Sequence, residues 1–352
     1  MTKPQDPQPS ATTLREQLDA IITEHGAGRQ RGLVRRILET GLGLGIDGTS
    51  RLNLKITAAA VEEMRAAFRL FAPFTETPKV TVFGSARTQP HDPLWLKAED
   101  VTRQLAERGW MVVTGAGPGI MEAAANGAGD GQSLGVSIRL PFEEPLDEPG
   151  DSIEAHRVIM KYFFTRKLML VKESRGFVCL PGGFGTMDEA FELLTLQQTG
   201  KMEPVPIVFL DRPGGSYWKH LAGFITEELA GGGYIAINDL DRVVITDSAK
   251  AATAEIVGFW RNYDSLRWVG DALVMRLKAS PTAAEIEALN ANFAGLLDSG
   301  RIEATGPLDA EVADKDRLEL PRIVFTPRRR AVGELHRLIR ALNELESAPA
   351  IA

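Results

Sequence analysis

The segment with the clearest chemical content is residues 176–200, where an apolar run ends at a glycine-rich turn and a helical pattern with carboxylates follows. Glycines let a backbone turn tightly around a ligand, and the free amides that start a helix present the positive end of its dipole. The segment therefore predicts a phosphate site formed by Gly182, Gly183, Gly185 and Thr186. Glu189 follows one helical turn later, within reach of the sugar of a nucleotide whose phosphate binds there. A phosphate site beside a carboxylate indicates chemistry at a ribose.

A purely structural interpretation of two of these residues is equally open. Thr186 and Glu189 have the T-x-x-E spacing of a capping box, in which both side chains satisfy the amides of their own helix. A basic pair, Arg166 and Lys167, lies on the preceding predicted helix. Adjacent helical residues point about 100° apart, so the two cations cannot face one ligand equally. The fork of Arg166 suits two functions, clamping a phosphate or orienting Glu189, and the sequence does not choose between them.

The motif P-G-G-x-G-T-x-x-E at Pro181 to Glu189, with R-K upstream, resembles the Lonely Guy family of nucleoside 5′-monophosphate phosphoribohydrolases, long labelled possible lysine decarboxylases. The resemblance covers about residues 79–263. It implies hydrolysis of a nucleoside 5′-monophosphate to free base and ribose 5-phosphate, with Glu189 and Arg166 in catalysis and Lys167 in substrate binding. It also implies no metal or organic cofactor and at least a homodimer.

The substrate and the reaction each have an alternative. The long front segment and the C-terminal appendage look more like the longer bacterial branch of the family, so AMP-like nucleotides and cytokinin riboside monophosphates both stay open. A non-hydrolytic nucleotide or cofactor carrier on the same fold is the alternative function. Such a carrier would keep the phosphate loop without the catalytic glutamate, and the presence of Glu189 and Arg166 favours the hydrolase. No constellation typical of pyridoxal binding supports the decarboxylase label.

A second glycine-rich loop lies at residues 115–119. The dinucleotide fingerprint needs a glycine where Ile120 stands, and no G-K-[ST] closes a Walker loop. The loop resembles the corresponding one in the longer Lonely Guy proteins, which implies that Gly117 and Gly119 contact the nucleotide. Glu122 then either touches ribose or base or simply stabilises the dipole of the helix that it opens.

The strands and helices that position these residues are predicted from Lys79 onward, where the hydrophobic pattern changes. Short β-branched or apolar runs alternate with helical patterns from there on, and they predict strands at Val80–Phe83, Met111–Thr114, Leu134–Ile138, Phe177–Leu180, Pro206–Leu210 and Val243–Thr246. This is typical of an α/β fold, a Rossmann-like doubly wound parallel sheet. The common order 3-2-1-4-5-6 places the first and fourth strands side by side. Ser85, just after the first strand, is then a candidate ligand contact, although it is also an ordinary turn residue.

Three domains are expected. Residues 1–75 form a disordered start at Thr2–Ser10 and accessory helices with a glycine-rich connection at Gly41–Ser50, and residues 76–263 form the nucleotide-binding catalytic domain. Residues 264–352 form a small α+β appendage that includes a helix from Ala331 to Leu345. The appendage carries no catalytic motif, which favours regulation, oligomerisation or covering of the core.

The composition is that of an ordinary globular protein, with 44% hydrophobic and 25% charged residues. The formal net charge of −7 argues against broad binding of nucleic acid or an anionic membrane surface. No apolar stretch approaches the roughly 18 residues of a membrane span, and the start lacks the hydrophobic core of a signal peptide. Cys179 is the only cysteine and the five histidines show no metal spacing, so a cytoplasmic protein without a metal site is expected.

Overall fold

The computed structural model describes residues 11–139, 156–328 and 332–350. Its chain divides into two compact units, residues 1–62 and residues 63–352. The predicted disordered start at Thr2–Ser10 and the first residue of the predicted C-terminal helix, Ala331, lie outside the described residues.

The first unit is helical. It contains α1 (Ala11–Glu24) and α2 (Arg31–Ile46), and α3 (Arg51–Phe71) begins in it and ends in the second unit. Asp19 accepts hydrogen bonds from Arg31 and Arg35 at 2.9–3.1 Å, which joins α1 to α2. The prediction of a connection at Gly41–Ser50 is wrong up to Ile46, because α2 continues through its glycines. Glycine lowers helix stability by about 1 kcal/mol relative to alanine but does not forbid helical backbone.

The second unit opens with alternating strands and helices. In chain order these are β1 (Lys79–Phe83), α4 (Pro93–Ala106), β2 (Met111–Thr114), α5 (Ile120–Ala128), β3 (Ser133–Ile138), β4 (Arg157–Met160), α6 (Phe163–Lys172), β5 (Gly176–Cys179), α7 (Phe184–Gln198), β6 (Ile207–Leu210), α8 (Tyr217–Phe224), β7 (Val243–Thr246) and α9 (Ala249–Gly258). The seven strands form one sheet in the order β4-β3-β2-β1-β5-β6-β7, and all neighbouring pairs are parallel.

The α/β class is confirmed, and the six predicted strands lie in the predicted order, with β1 between β2 and β5. The seventh strand, β4, was not predicted. β4 has only four residues, and among the described strands it pairs with β3 alone, at the edge of the sheet. Its conformation depends on hydrogen bonds to a partner strand more than on its own pattern.

Alternate strand residues enter two apolar layers, because successive side chains point to opposite faces. Val80, Val82 and Val178 pack in the layer that α4, α5 and α9 cover. The opposite layer contains Phe83 and Phe177 and is covered by α6, α7, α8 and the end of α3. Both faces are therefore buried, and the ligand-accessible part of the sheet is its carboxyl edge.

The C-terminal part forms a separate small antiparallel sheet. Its elements are β8 (Tyr263–Val269), β9 (Ala272–Leu277), α10 (Ala283–Asn292), β10 (Leu297–Thr305), α11 (Asp309–Asp314), β11 (Arg322–Pro327) and α12 (Val332–Glu344). The strand order is β10-β11-β9-β8, and a third apolar cluster fills the space between this sheet and the helices α10 and α12. Throughout the described part of the chain, no helix has the length and apolarity needed to cross a membrane.

The conformation of Gly119 gives a prediction for stability. Its φ is +71°, and a Cβ there would clash with the carbonyl oxygen of Ser85. Gly119→Ala is expected to lower the free energy of unfolding by about 2 kcal/mol or more, measured by urea denaturation. Gly258→Ala, inside α9 with nothing within 4 Å of the added Cβ, is the control. Equal unfolding midpoints for the two variants would contradict the close contact between these loops.

Candidate active site

Three loops meet at the carboxyl edge of the sheet, after β1, β2 and β5. The amide of Ser85 donates to the carbonyl of Pro181 at 3.2 Å, and the amide of Ile120 donates to the carbonyl of Ser85 at 3.0 Å. The hydroxyl of Ser85 accepts from the amide of Arg87 at 3.1 Å and so stabilises its own turn. Ser85 thus joins the loops through its backbone, while its side chain has the turn role that the sequence left open.

Gly182 lies where the loops after β1 and β5 come closest. A Cβ on Gly182 would clash with Oγ1 of Thr186 and lie 3.0 Å from the amide nitrogen of Ser85. The hydroxyl of Tyr217, on α8, donates to the carbonyl of Gly182 at 2.6 Å and lies 3.4 Å from its amide nitrogen. The turn therefore requires glycine, and Tyr217 holds it from the other side.

The start of α7 is open. The helix begins at Phe184, with Gly183 at the N-cap and no side chain that caps it. The structure gives the following amides no acceptor among the described residues: Gly183, Phe184, Gly185 and Thr186. Gly183 and Gly185 are exposed, and the Phe184 side chain is 95% exposed. Unpaired amides at the positive end of a helix dipole are suited to an anion.

Glu189 is not a helix cap. Because α7 begins at Phe184, Glu189 is the sixth residue of the helix and Thr186 the third, so the capping-box interpretation is wrong. The Glu189 residue is only 7% exposed, and its Oε2 is buried without a hydrogen-bond partner among the described residues. A buried carboxyl oxygen without a donor is costly and rare in proteins.

The surroundings of Glu189 bring the pKa of its carboxyl close to neutral pH. Burial raises the pKa of this carboxyl to about 7, although the charges of Lys167 and Arg166 pull it down. Glu192 and Asp188 on the same helix raise it further. A carboxyl group with a pKa near 7 can exchange a proton at physiological pH, as a general acid or base must.

Arg166 reaches across to the loop after β2. Its Nε donates to the carbonyl of Val136 at 2.9 Å, and its Nη2 lies so close to Gly115 that a Cβ there would clash with it. Burial lowers the pKa of the guanidinium, and the charge of Glu189 partly offsets this effect. No hydrogen bond joins Arg166 to Glu189 in the described structure, so the arginine does not orient that carboxyl by direct contact.

Lys167 has carboxylate partners of its own. Its Nζ lies 2.7 Å from Oδ2 of Asp188 and 3.0 Å from Oε2 of Glu192. Burial lowers the pKa of the ammonium, but the hydrogen bonds to these two carboxylates outweigh that effect and raise it. The two adjacent cations on α6 therefore have different surroundings, as their angular separation on the helix requires.

The other predicted ligand contacts are divided between two places. Gly119 packs against Ser85 at the meeting point of the loops. Gly117 and Glu122 instead line a cavity of about 540 Å³, together with residues such as Met121 on α5, and neither Glu189 nor Arg166 lines it. In the described residues, no group of three His, Cys, Asp or Glu side chains is placed to hold a metal ion.

Comparison with known proteins identifies the family. The family model described as "Possible lysine decarboxylase" matches residues 121–256. The cytokinin riboside 5′-monophosphate phosphoribohydrolase of Mycobacterium tuberculosis is 30% identical over 174 residues, which span 47% of this chain and 87% of that protein. The chain belongs to the Lonely Guy family.

Two further proteins are similar to this chain. The pyrimidine/purine nucleotide 5′-monophosphate nucleosidase of Escherichia coli is 29% identical to this Lonely Guy protein over 167 residues, which span 45% of this chain and 36% of the relative. The molybdenum cofactor carrier protein from Chlamydomonas reinhardtii is a similar solved structure, with a TM-score of 0.35 and 19% identity over 51% of this chain and 95% of that one. At this TM-score, the likeness carries no argument about function.

Two residues at the site escaped the sequence analysis of this Lonely Guy protein. Tyr217 is 35 residues away from the glycine that it holds, and no local pattern points to it. Phe184 lies inside the motif, but only the start of α7 in the structure shows that its ring is exposed next to the free amides.

The buried carboxyl gives a prediction for the pH dependence of stability. At a pH below the pKa of about 4.5 in the unfolded chain, Glu189 is neutral in both states, and its ionisation does not affect stability. Between that pH and about 7, only the unfolded state releases the proton, so stability falls with rising pH by a total of roughly 3 kcal/mol. Glu189→Gln removes this loss, so the variant is expected to gain stability over the wild type at pH 8 but much less at pH 5.

Urea unfolding of both proteins at the two pH values measures the effect. Glu227→Gln, which removes one carboxylate from an exposed position after α8, is the control for the change in charge. A gain for Glu189→Gln that is the same at pH 5 and pH 8 would mean that the carboxyl is not protonated in the native state at pH 5.

Proposed function

We propose that this protein hydrolyses the N-glycosidic bond of a nucleoside 5′-monophosphate and releases the free base and ribose 5-phosphate. The observation that carries the proposal is the buried carboxyl of Glu189, whose Oε2 has no hydrogen-bond partner among the described residues, close to an open helix N-terminus. Thr186 and Glu189 are separated by about 4.5 Å along the axis of α7, so one ligand can contact both turns. The names of the M. tuberculosis and E. coli relatives support the same class of reaction.

The open start of α7 is the proposed site for the 5′-phosphate. The free amides of residues 183–186 donate to its oxygens, and the Thr186 side chain lies among them. The phosphate does not react. Its binding energy instead fixes the sugar over the second turn of the helix, where Glu189 lies.

Glu189 is the proposed catalytic group. Cleavage of the glycosidic bond builds positive charge on the ribose ring, and a carboxylate next to C1′ stabilises that charge. Water adds to C1′ as the C1′–N bond breaks, and one of its protons passes to the Glu189 carboxylate. The bonding electrons go to the base, which takes up a proton from solvent, and Glu189 then releases its proton to solvent. A pKa of about 7 leaves a large fraction of the group ionised at neutral pH.

Arg166 and Lys167 have separate proposed roles. The described residues offer the two Nη atoms of Arg166 no hydrogen-bond acceptor, so its fork is available to the substrate above Gly115. Lys167 is held by Asp188 and Glu192 and acts through its charge, which lowers the pKa of Glu189. Family resemblance assigned Lys167 to direct substrate binding, whereas its ion pairs favour this indirect role.

The first test is incubation of the purified protein with AMP, other nucleoside monophosphates, isopentenyladenosine monophosphate and adenosine. Free base and ribose 5-phosphate are followed by chromatography. Base release from a monophosphate but not from adenosine is the expected result, and the relative rates give the base preference. Nucleotide binding without any base release would overturn the proposal in favour of a carrier.

A second test concerns Glu189. Glu189→Gln is expected to lower kcat by about 10²–10⁴-fold while AMP affinity changes little, because the amide keeps the shape of the carboxyl but cannot accept a proton. The wild-type rate is expected to rise with pH through an apparent pKa near 7, as the carboxylate forms. Steady-state kinetics and calorimetric titration with AMP measure the two effects, and Glu227→Gln is the control. Undiminished turnover in Glu189→Gln would exclude the assigned role.

A further inference from the structure

A carboxylate from α3 binds the start of α6. Oε1 of Glu63 accepts a hydrogen bond from the amide of Lys161 at 3.0 Å. Oε2 accepts from the hydroxyl of Thr165 at 2.5 Å and from the amide of Tyr162 at 3.4 Å. Glu63 is the first residue of the second unit, so these contacts lie within one compact body.

The start of α6 has no cap of its own. Tyr162 is the N-cap residue, and no side chain of the helix accepts from its first amides. Glu63 supplies a negative charge and acceptor oxygens at the positive end of the helix dipole, although it is about 100 residues away in sequence. Thr165 is fully buried, and its hydroxyl contacts both Glu63 and the carbonyl of Tyr162. The carboxylate therefore holds the two residues just before α6 by their amides and the first turn of α6 by the hydroxyl of Thr165.

The fixed turn leads directly into the basic pair. Arg166 follows Thr165 and places its guanidinium against Gly115, and Lys167 follows with its two carboxylate partners. The far end of α6 also contacts α3, since Nζ of Lys172 lies 5.5 Å from the centre of the Phe68 ring. Residues 67–71 of α3 share an apolar layer with buried residues of α6. A segment of α3 thus lies along α6 and contacts both of its ends.

We propose that Glu63 is a positioning residue of the active site, which holds α6 so that Arg166 and Lys167 take up the places described above. This inference rests on the proposed function for its effect on catalysis. Glu63 precedes residues 121–256, the part that the family model matches. The end of α3 from Glu63 onward, which was expected to be accessory, would then complete the support of the active site.

The first test does not depend on activity. In Glu63→Ala, the amides of Lys161 and Tyr162 lose their acceptor, and the amide of Arg166, which donates to the carbonyl of Tyr162, opens α6. These amides at the start of α6 are expected to exchange with deuterium at least about tenfold faster than in the wild type. Glu62→Ala, one residue away and exposed, is the matched control and is expected to leave α6 protected. Unchanged protection of α6 in Glu63→Ala would overturn the proposal. If that variant does not fold, Glu63→Gln is used, which keeps one acceptor and loses the charge.

The second test separates positioning from general destabilisation. Glu63→Ala is expected to lower kcat on AMP about tenfold or more, with Glu63→Gln recovering part of the loss. The rising limb of the pH–rate profile is expected to move to higher pH in Glu63→Ala, because Arg166 and Lys167 then lower the pKa of Glu189 less. A profile that does not move, or an equal loss of kcat in Glu62→Ala, would show that Glu63 serves the fold alone.

A double-mutant cycle examines the contact itself. Thr165→Val removes the hydroxyl but keeps the shape of the side chain, and its effect on kcat is expected to be non-additive with that of Glu63→Gln. Additive effects would mean that the hydrogen bond does not carry the coupling. If the wild type releases no base from any monophosphate, the proposed function fails, while the exchange experiment still decides whether Glu63 holds α6.

Discussion

The backbone of Ser85 is the point on which the geometry of the site depends. Its amide and carbonyl hydrogen-bond to two different neighbouring loops, at Pro181 and Ile120. Gly119 lies where a Cβ would clash with the carbonyl oxygen of Ser85, and a Cβ on Gly182 would lie 3.0 Å from the amide nitrogen of Ser85. Parallel strands bring their carboxyl ends to one edge, but only these contacts fix how far apart the loops lie there. Ser85 therefore links the loop that leads into α7 to the glycine loop after β2.

The two adjacent cations on α6, Arg166 and Lys167, make different contacts. Lys167 forms ion pairs with Asp188 and Glu192. Arg166 donates one hydrogen bond, from its Nε to a backbone carbonyl, and its two Nη atoms have no acceptor among the described residues. Since neighbouring helical residues diverge by about 100°, one α6 residue can face α7 while the next faces the loop after β2. The field of both charges limits the rise that burial imposes on the pKa of Glu189, and the result is a value near neutrality.

The sequence predicted what depends on local patterns and missed what depends on distant partners. Alternating apolar runs are enough for the six main strands and their order, and glycines with free helix amides identify the turn at residues 182–186. A capping box requires Thr186 at the N-cap, whereas the N-cap of α7 is Gly183, three residues earlier. Tyr217 contacts a residue 35 positions away in sequence, and Glu63 contacts residues about 100 positions away. Hydrophobic periodicity carries no information about such polar pairs.

The unpaired oxygen of Glu189 is the strongest physical argument for a ligand at this place. A carboxyl group that served only the fold would recover its desolvation cost through donors, and donors are abundant nearby. Yet Lys167 donates to other carboxylates, Arg166 donates to a carbonyl, and the free amides of α7 lie at its first turn, away from the second. Within the part of the chain that the structure describes, a buried acceptor without a partner thus lies one turn away from unpaired donors at the helix start. A molecule with an anionic group and, a few ångströms away, a hydroxyl or a bound water satisfies both at once, as a ribose phosphate with its attacking water does.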